Sequence, residues 1–224
     1  MKNKTLLGVA CLLLQAQALE VKPSGYLRLG YQSFEDAATK ESDLAIGGKL
    51  NVELQQKGYF ALGASFYTTN ALSNQHTIGV PFYGNEGDSY TILGEAYLRA
   101  KFSQTKIVVG RQEFNSPYIN TDDIGMVPNT FEGITISSKD IPHSKIVAAY
   151  LTKWSGVDSD EPQNFTKLNG DKGVWTLGYV YGGIEKFKLK AWLYEIGDTA
   201  MLSYFGVDYA LNFGDIEVAL MGQY

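Results

Sequence analysis

Cysteine is almost absent from this 224-residue chain, with Cys11 its only thiol, and histidine is limited to His76 and His143. A single cysteine closes no intrachain disulfide. Two histidines in connecting segments, with no Ser or Cys near a usable base, leave nucleophilic catalysis without a constellation, so no catalytic residue is expected. No Cys/His cluster has metal-ligand spacing, and Asp158-Ser159-Asp160-Glu161 lacks the spacing and glycine of a calcium loop, so no metal and no cofactor are expected. Gly182-Gly183 reads as a turn rather than a phosphate loop. Long apolar runs are missing as well. Beyond Leu14 nothing approaches the roughly 20 residues that a spanning helix needs, which excludes a helical membrane protein. Positive charge is in deficit: the formal charge is −5 and becomes −7 without Lys2 and Lys4, which speaks against a nucleic-acid partner.

The N-terminus supplies an address. Lys2 and Lys4 form a charged region, Leu6 to Leu14 an apolar one, and Ala16-Gln17-Ala18 a small-x-small cleavage site, the pattern of a cleavable secretory signal. Residues 1–18 are therefore expected to be a signal peptide and 19–224 the mature domain. Gly8-Val9-Ala10-Cys11 loosely imitates a lipoprotein site, but the apolar run continues past it to Leu14. Cleavage after Ala18 leaves a chain without cysteine in a compartment that permits disulfides.

The mature region is written in a period of two. Leu44, Ile46, Leu50, Val52 and Leu54 fall on one face, with Lys49, Asn51 and Glu53 on the other. After a break at Gln55 to Gly58, Phe60, Leu62, Ala64 and Phe66 resume the alternation. Period two indicates strands, and the pair indicates a hairpin. The pattern recurs from Ser24–Phe34 through Thr91–Phe102, Lys106–Gln112, Glu132–Ser138, Lys145–Trp154, Val174–Tyr181, Phe187–Glu195 and Leu202–Leu211 to Ile216–Tyr224, about eleven strands in all.

Connections alternate in length. Gln55–Gly58, Ser103–Thr105, Lys139–Ser144, Gly182–Lys186 and Asn212–Asp215 are short. Glu35–Asp43, Thr69–Tyr90, Glu113–Phe131 and Ser155–Gly173 are long, and Gly197-Asp198-Thr199 is the exception. Short turns at one end and long loops at the other mark an outer-membrane barrel, a pattern that a soluble sandwich has no reason to keep. Arg28, Lys49, Asn51, Glu53, Glu95, Arg99, Lys101, Lys188, Lys190 and Glu217 all alternate onto the polar face. That many charges require a water-filled interior. Tyr31, Tyr59, Phe66, Phe102, Trp154, Phe187 and Phe213, near strand ends, suit interfacial girdles.

Three segments then carry a resemblance: Gly110-Arg111-Gln112-Glu113-Phe114-Asn115-Ser116-Pro117, Asn120-Thr121-Asp122-Asp123, and Met126-Val127-Pro128-Asn129-Thr130-Phe131-Glu132-Gly133. With the turn Ser137 to Pro142 that follows, they resemble the signature of OprD-type outer-membrane porins. The resemblance implies an all-β fold, an antiparallel transmembrane β-barrel of 18 strands with about 11 present here. It also implies a bacterial outer-membrane location, lipid as surroundings, homotrimers as an assembly, and passage of small hydrophilic solutes such as carboxylates, amino acids or short peptides. Phe114 to Thr130 would be an inward-folded loop at a constriction, with Asn115, Tyr118, Asn120, Asp122, Asp123 and Asn129 as its site residues. The basic wall would comprise Arg28, Lys49, Arg99, Lys101, Arg111, Lys188 and Lys190, with Arg99 and Lys101 bordering the constriction, since rings of Lys or Arg favour anions in a pore.

Arg111 is in conflict: alternation with Ile107 and Val109 points it outward, whereas the signature suggests a pore-facing arginine. The bare Asn-Thr-Asp-Asp sequence also reads as a solvated turn. Two function classes stay open, a passive porin and a non-conducting exported β-barrel that serves as an adhesin-like or structural surface protein. Strand parity adds an expectation: an eleventh strand ending outside at Tyr224 implies a longer barrel continuing beyond it.

Overall fold

A computed structural model describes residues 19–35, 40–72, 82–213 and 216–224. The expected signal peptide with Cys11, His76, and the Gly214-Asp215 centre of the last turn lie outside the described residues. The chain forms β1 (Glu20–Glu35), β2 (Lys40–Gln56), β3 (Phe60–Ala71), β4 (Tyr90–Phe102), β5 (Thr105–Gln112), β6 (Thr130–Ser138), β7 (Ser144–Ser155), β8 (Thr166–Lys167), β9 (Val174–Ile184), β10 (Phe187–Ile196), β11 (Ala200–Phe213) and β12 (Ile216–Gln223). All twelve belong to one antiparallel sheet, in the order β1-β2-β3-β4-β5-β6-β7-β9-β10-β11-β12, with the two-residue β8 beside β7. The eleven strands on the main path coincide with the eleven expected from alternation. Besides strands, a single 3-10 turn (Asn85–Gly87) is present among the described residues.

Register explains why alternation succeeds. Leu62 stands between Leu54 and Leu98, and Leu98 between Leu62 and Val109. Leu62, Leu98 and Val109 are half or nearly half exposed, as a lipid-facing row must be outside a bilayer. The opposite face holds Asn51, Ser65 and Glu95 in one row, and there Ser65 and Glu95 are buried. The buried residues form two clusters on this inward face, beneath the loops. This core therefore joins loop to wall rather than sheet to sheet.

Two expectations are corrected. The first external loop is not long: β1 and β2 pair as far as Glu35 and Lys40, leaving only residues 36–39 between them. Ladder hydrogen bonds need no apolar alternation, and a Glu35–Lys40 ion pair of 3.0 Å ends the hairpin. Trp154 does not join an outer girdle. It sits in the Phe131 row and stacks on that inward ring with centroids 6.4 Å apart. Tyr150 and Trp175 supply the outward aromatic pair instead, stacked at 4.3 Å, and Phe60 and Phe102 meet edge to face at the short-turn end.

At that end the Ser103-Gln104 turn is tied to the 139–143 turn through Asp140, which accepts from the Thr105 hydroxyl at 2.5 Å and the Gln104 amide at 2.9 Å. Hydrogen bonds from Thr105, Ser103 and the Gln104 amide hold the Asp140 carboxyl well below its ordinary value. A depressed carboxyl stabilises the fold above its unfolded value, near about 4, and this contribution fades as pH falls through the folded one. Asp140→Asn should therefore lower the thermal midpoint at neutral pH, and the gap to the parent protein should narrow steadily on acidification below about pH 4 in a melting series.

A candidate constriction built by the loop between β5 and β6

The segment Glu113–Asn129 leaves β5 and turns onto the inward face. Small residues make its seat. Gly30 and Ala45 are paired across β1 and β2, and Gly47 is next on the same face. A Cβ on Gly30 would lie 2.9 Å from the Phe82 ring and 3.0 Å from Met126 Sδ, and one on Gly47 would lie 3.0 Å from the Met126 methyl. Met126 and Val127 are buried there with Tyr67, Phe82, Tyr83 and Ile92. Burying each contributes about 1.5–3 kcal/mol toward holding the loop down.

Charge fixes the same end. Arg28 grips Asp123 with two hydrogen bonds, Nη1 to Oδ1 at 2.7 Å and Nη2 to Oδ2 at 3.1 Å, and donates to the Gly125 carbonyl at 2.6 Å. Lys49 bridges Glu95 at 2.5 Å and Glu113 at 3.0 Å. The Tyr67 hydroxyl lies between the same carboxylates, 2.5 Å from Glu95 and 2.7 Å from Glu113. Burial alone would raise the Glu113 carboxyl, but bonds from Tyr67 and Lys49 hold it below its ordinary value. It stays charged at the root of the loop.

The other end reaches the far side of the sheet. The Tyr118 ring contacts Tyr194 on β10 at 5.2 Å and Tyr204 on β11 at 5.9 Å. Its hydroxyl donates to the Ser203 carbonyl at 3.3 Å. One loop thus touches β1 and β2 at one end and β10 and β11 at the other, so the sheet is curled around it. Between Tyr118 and the β6 to β10 wall lies a cavity of about 290 Å³ lined by Asn120, Phe131, Trp154, Asp158, Leu168 and Tyr194, among others.

The expected loop residues divide by role. Asn115 Oδ1 accepts from the Thr121 amide and hydroxyl, both at 3.1 Å, and Asn120 Oδ1 accepts from the Asp122 amide at 2.8 Å. Both shape the loop. Asp122 sits at the turn with φ of 37°, while Asp123 is the member of the acidic pair that meets a wall cation. Asn129 is only 1% exposed. It donates from Nδ2 to Asp158 at 2.5 Å and accepts from the Asp158 amide at 3.2 Å, which ties two loops together at the edge of that cavity, where Asn129 is also a lining residue.

The basic residues divide as well. Arg28 and Lys49 touch the loop. Arg99, opposite Ala61 and further toward the short turns, is held by Glu53 at 2.8 Å, and Lys101 is exposed opposite Lys106. Lys190 pairs with Asp208 at 2.7 Å, and Lys188 lies opposite Asp208 in register. Arg111 departs from the expected lumenal wall. It pairs with Ala96 and Glu132 and alternates with Val109 on the outward face, so the face deduced from Ile107 and Val109 holds. Alternation with the buried Val108 and Val147 puts Lys106 and Lys145 inward, two cations that the sequence reading passed over although their spacing displayed them.

Comparison with known proteins completes the picture. The family model described as outer membrane porin, OprD family, matches residues 58–224. This chain belongs to the OprD family. Its members are channels rather than enzymes. Among solved structures, Pseudomonas aeruginosa OccK8 (OprE) superposes with a TM-score of 0.73 at 20% identity, over 91% of this chain and 54% of that one. P. aeruginosa OccD3 (OpdP) gives 0.69 at 16% identity, over 92% and 48%. P. aeruginosa OpdK, solved with vanillate, gives 0.68 at 19%, over 92% and 56%. At these identities the likeness is one of fold. The chain spans about half the length of these structures. No curated protein matches its sequence.

Gly30→Val places a side chain where Met126 and Phe82 now sit, and overpacking of this kind costs about 1–3 kcal/mol. The expected result is a loop that proteases nick between Phe114 and Asn129 several times faster than in the parent protein, with an unchanged strand signal in circular dichroism.

Proposed function

We propose that this chain forms part of the wall of a passive diffusion pore in the bacterial outer membrane, and that Glu113–Asn129 narrows it. The observation that carries the reading is the reach of that loop across the inward face, from Arg28 and Lys49 to Tyr194 and Tyr204. A solute crossing along this face must pass beside the loop. Inward Lys101, Lys106, Lys145 and Lys188 present positive charge to such a solute: Lys101 stands opposite Lys106, and the Asp208 opposite Lys188 is held by Lys190. Rings of this sign favour anions. Small hydrophilic carboxylates, amino acids and short peptides are the solutes that fit a wet, cationic passage with a hydrogen-bonding loop.

The protein should form channels in planar bilayers. Arg28→Ala together with Lys49→Ala, which unhooks the loop at its charged end, should raise single-channel conductance by about half or more, since constriction geometry sets the flow. A folded barrel that never conducts would reject this reading in favour of a surface protein without a channel.

Residues 1–18 serve as a cleavable export signal in this proposal, supported by the charged, apolar and small-x-small sequence of Lys2 to Ala18. N-terminal sequencing of the protein from outer membranes should begin at Leu19. Chemical cross-linking in intact membranes separates a single barrel, which gives one band, from the homotrimer suggested by the sequence resemblance, which gives a ladder ending at three subunits.

A further inference from the structure

Charge on a lipid-facing row needs a reason, and Arg111 is not alone there. It pairs in register with Glu132, Glu132 with Lys153, and Lys153 with Lys167. The row thus runs across β5, β6, β7 and β8 at the long-loop end. Immediately below it on the same face are Val109 and Ile134, both nearly half exposed, and the stacked Tyr150–Trp175 pair lies level with Ile134. An outward aromatic pair with apolar side chains beneath and charges above marks the boundary between hydrocarbon and headgroups, where an outward cation costs least.

The row carries a cationic excess. Glu132 serves two cations, Arg111 Nε at 3.2 Å and Lys153 Nζ at 3.3 Å, both longer than the about 2.7–2.9 Å of a tight charge-assisted bond. Lys167 is balanced by Asp171 at 2.5 Å, so three cations face two anions. Arg111 is held in place from other directions, with its guanidinium carbon 4.2 Å from the centroid of Phe165 and Nη1 donating to the Leu93 carbonyl at 3.3 Å. A positioned guanidinium and a neighbouring ammonium, about a third and two-fifths exposed at headgroup depth, match a tetrahedral dianion such as a phosphate monoester.

We propose that Arg111 and Lys153 form a binding site on the outer surface of the barrel for the phosphate group of an outer-leaflet glycolipid. The site faces away from the lumen and makes no use of the pore. It gives the barrel a fixed lipid neighbour beside β5 to β7 and anchors the rim through a ligand rather than through more protein. Glu132 sets its strength, competing with the phosphate for both cations.

The test uses the full protein purified from outer membranes and stripped of lipid, with binding read by native mass spectrometry. The probes are diphosphoryl lipid A, the same lipid after enzymatic dephosphorylation, and inorganic phosphate. Affinity for the diphosphoryl lipid should fall about tenfold in R111Q/K153Q and should rise in E132Q, a direction that a merely structural role would not produce. Lys40→Gln, which removes another rim cation, should change nothing. Equal affinity in the parent protein and R111Q/K153Q would overturn the proposal, as would undiminished binding of the dephosphorylated lipid. Inorganic phosphate binding as strongly as the lipid would make this a free-anion site and overturn it too. If the double variant fails to fold, K153Q and E132Q must still move affinity in opposite directions. Channel conductance, measured in parallel, should be the same in all variants, so the lipid site and the pore reading fail independently.

Discussion

A backbone amide in hydrocarbon has no water to turn to, and the organisation of this chain follows from that constraint. Each main-path strand between β1 and β12 is hydrogen-bonded along both edges by neighbours on that path. Only closed or continuous pairing satisfies such groups within a membrane. The longest ladder, between β1 and β2, runs without a shift from Glu20 to Glu35. Continuous pairing locks the period of two, and the period of two sorts every side chain to lipid or to water. Register shifts are confined to a few places, one between Ser65 and Phe66 and another between Glu132 and Gly133. Both lie near the points where the long loop departs and returns.

Because the sheet has no second sheet to bury itself against, its apolar core is assembled from loops. Met126 and Val127 on one side and Phe114 on the other insert between wall residues that are themselves small or aromatic. Charge is arranged similarly. Inward acids meet inward bases across strands or across the loop, as in Arg28–Asp123, Lys49–Glu95 and Arg99–Glu53. Of the loop's acidic pair, Asp123 thus meets a wall cation directly rather than across open water. It holds the loop, whereas the inward cations Lys101, Lys106, Lys145 and Lys188 lie further along the wall, near the short turns.

Strand number, facing and the identity of the inward loop were legible because they depend on local alternation and on one contiguous signature. Leu62, Leu98 and Val109 could be placed outward before any register was known. The limits had physical causes. The ends of β1 and β2 extend beyond their apolar pattern because ladder bonds continue through Gln32, Ser33 and Asp43 without needing greasy side chains. Asn129 lies beside the loop cavity, and its hold on Asp158, a partner in another loop, is something that sequence spacing does not reveal. Arg111 was pulled inward by a signature and outward by alternation, and alternation prevailed because no register shift separates it from Val109. The seat made by Gly30, Ala45 and Gly47 was hidden among many glycines, since what distinguishes it is the methionine delivered from far along the chain.

The span of that loop has a kinetic side. Arg28 and Asp123 are 95 residues apart, and Tyr118 and Tyr194 are 76 apart. Contacts of such separation are the slowest to form, because the intervening chain must be ordered before they are rewarded. The loop's near end has its partners once the early strands are laid down, but its far end has none until β10 and β11 arrive. Docking of Tyr118 thus reports that most of this wall is in place, and until then the loop is tethered at one end only. Completion of the wall and docking of the loop are in this sense a single event, since the contacts that seat the loop's far end belong to the late strands.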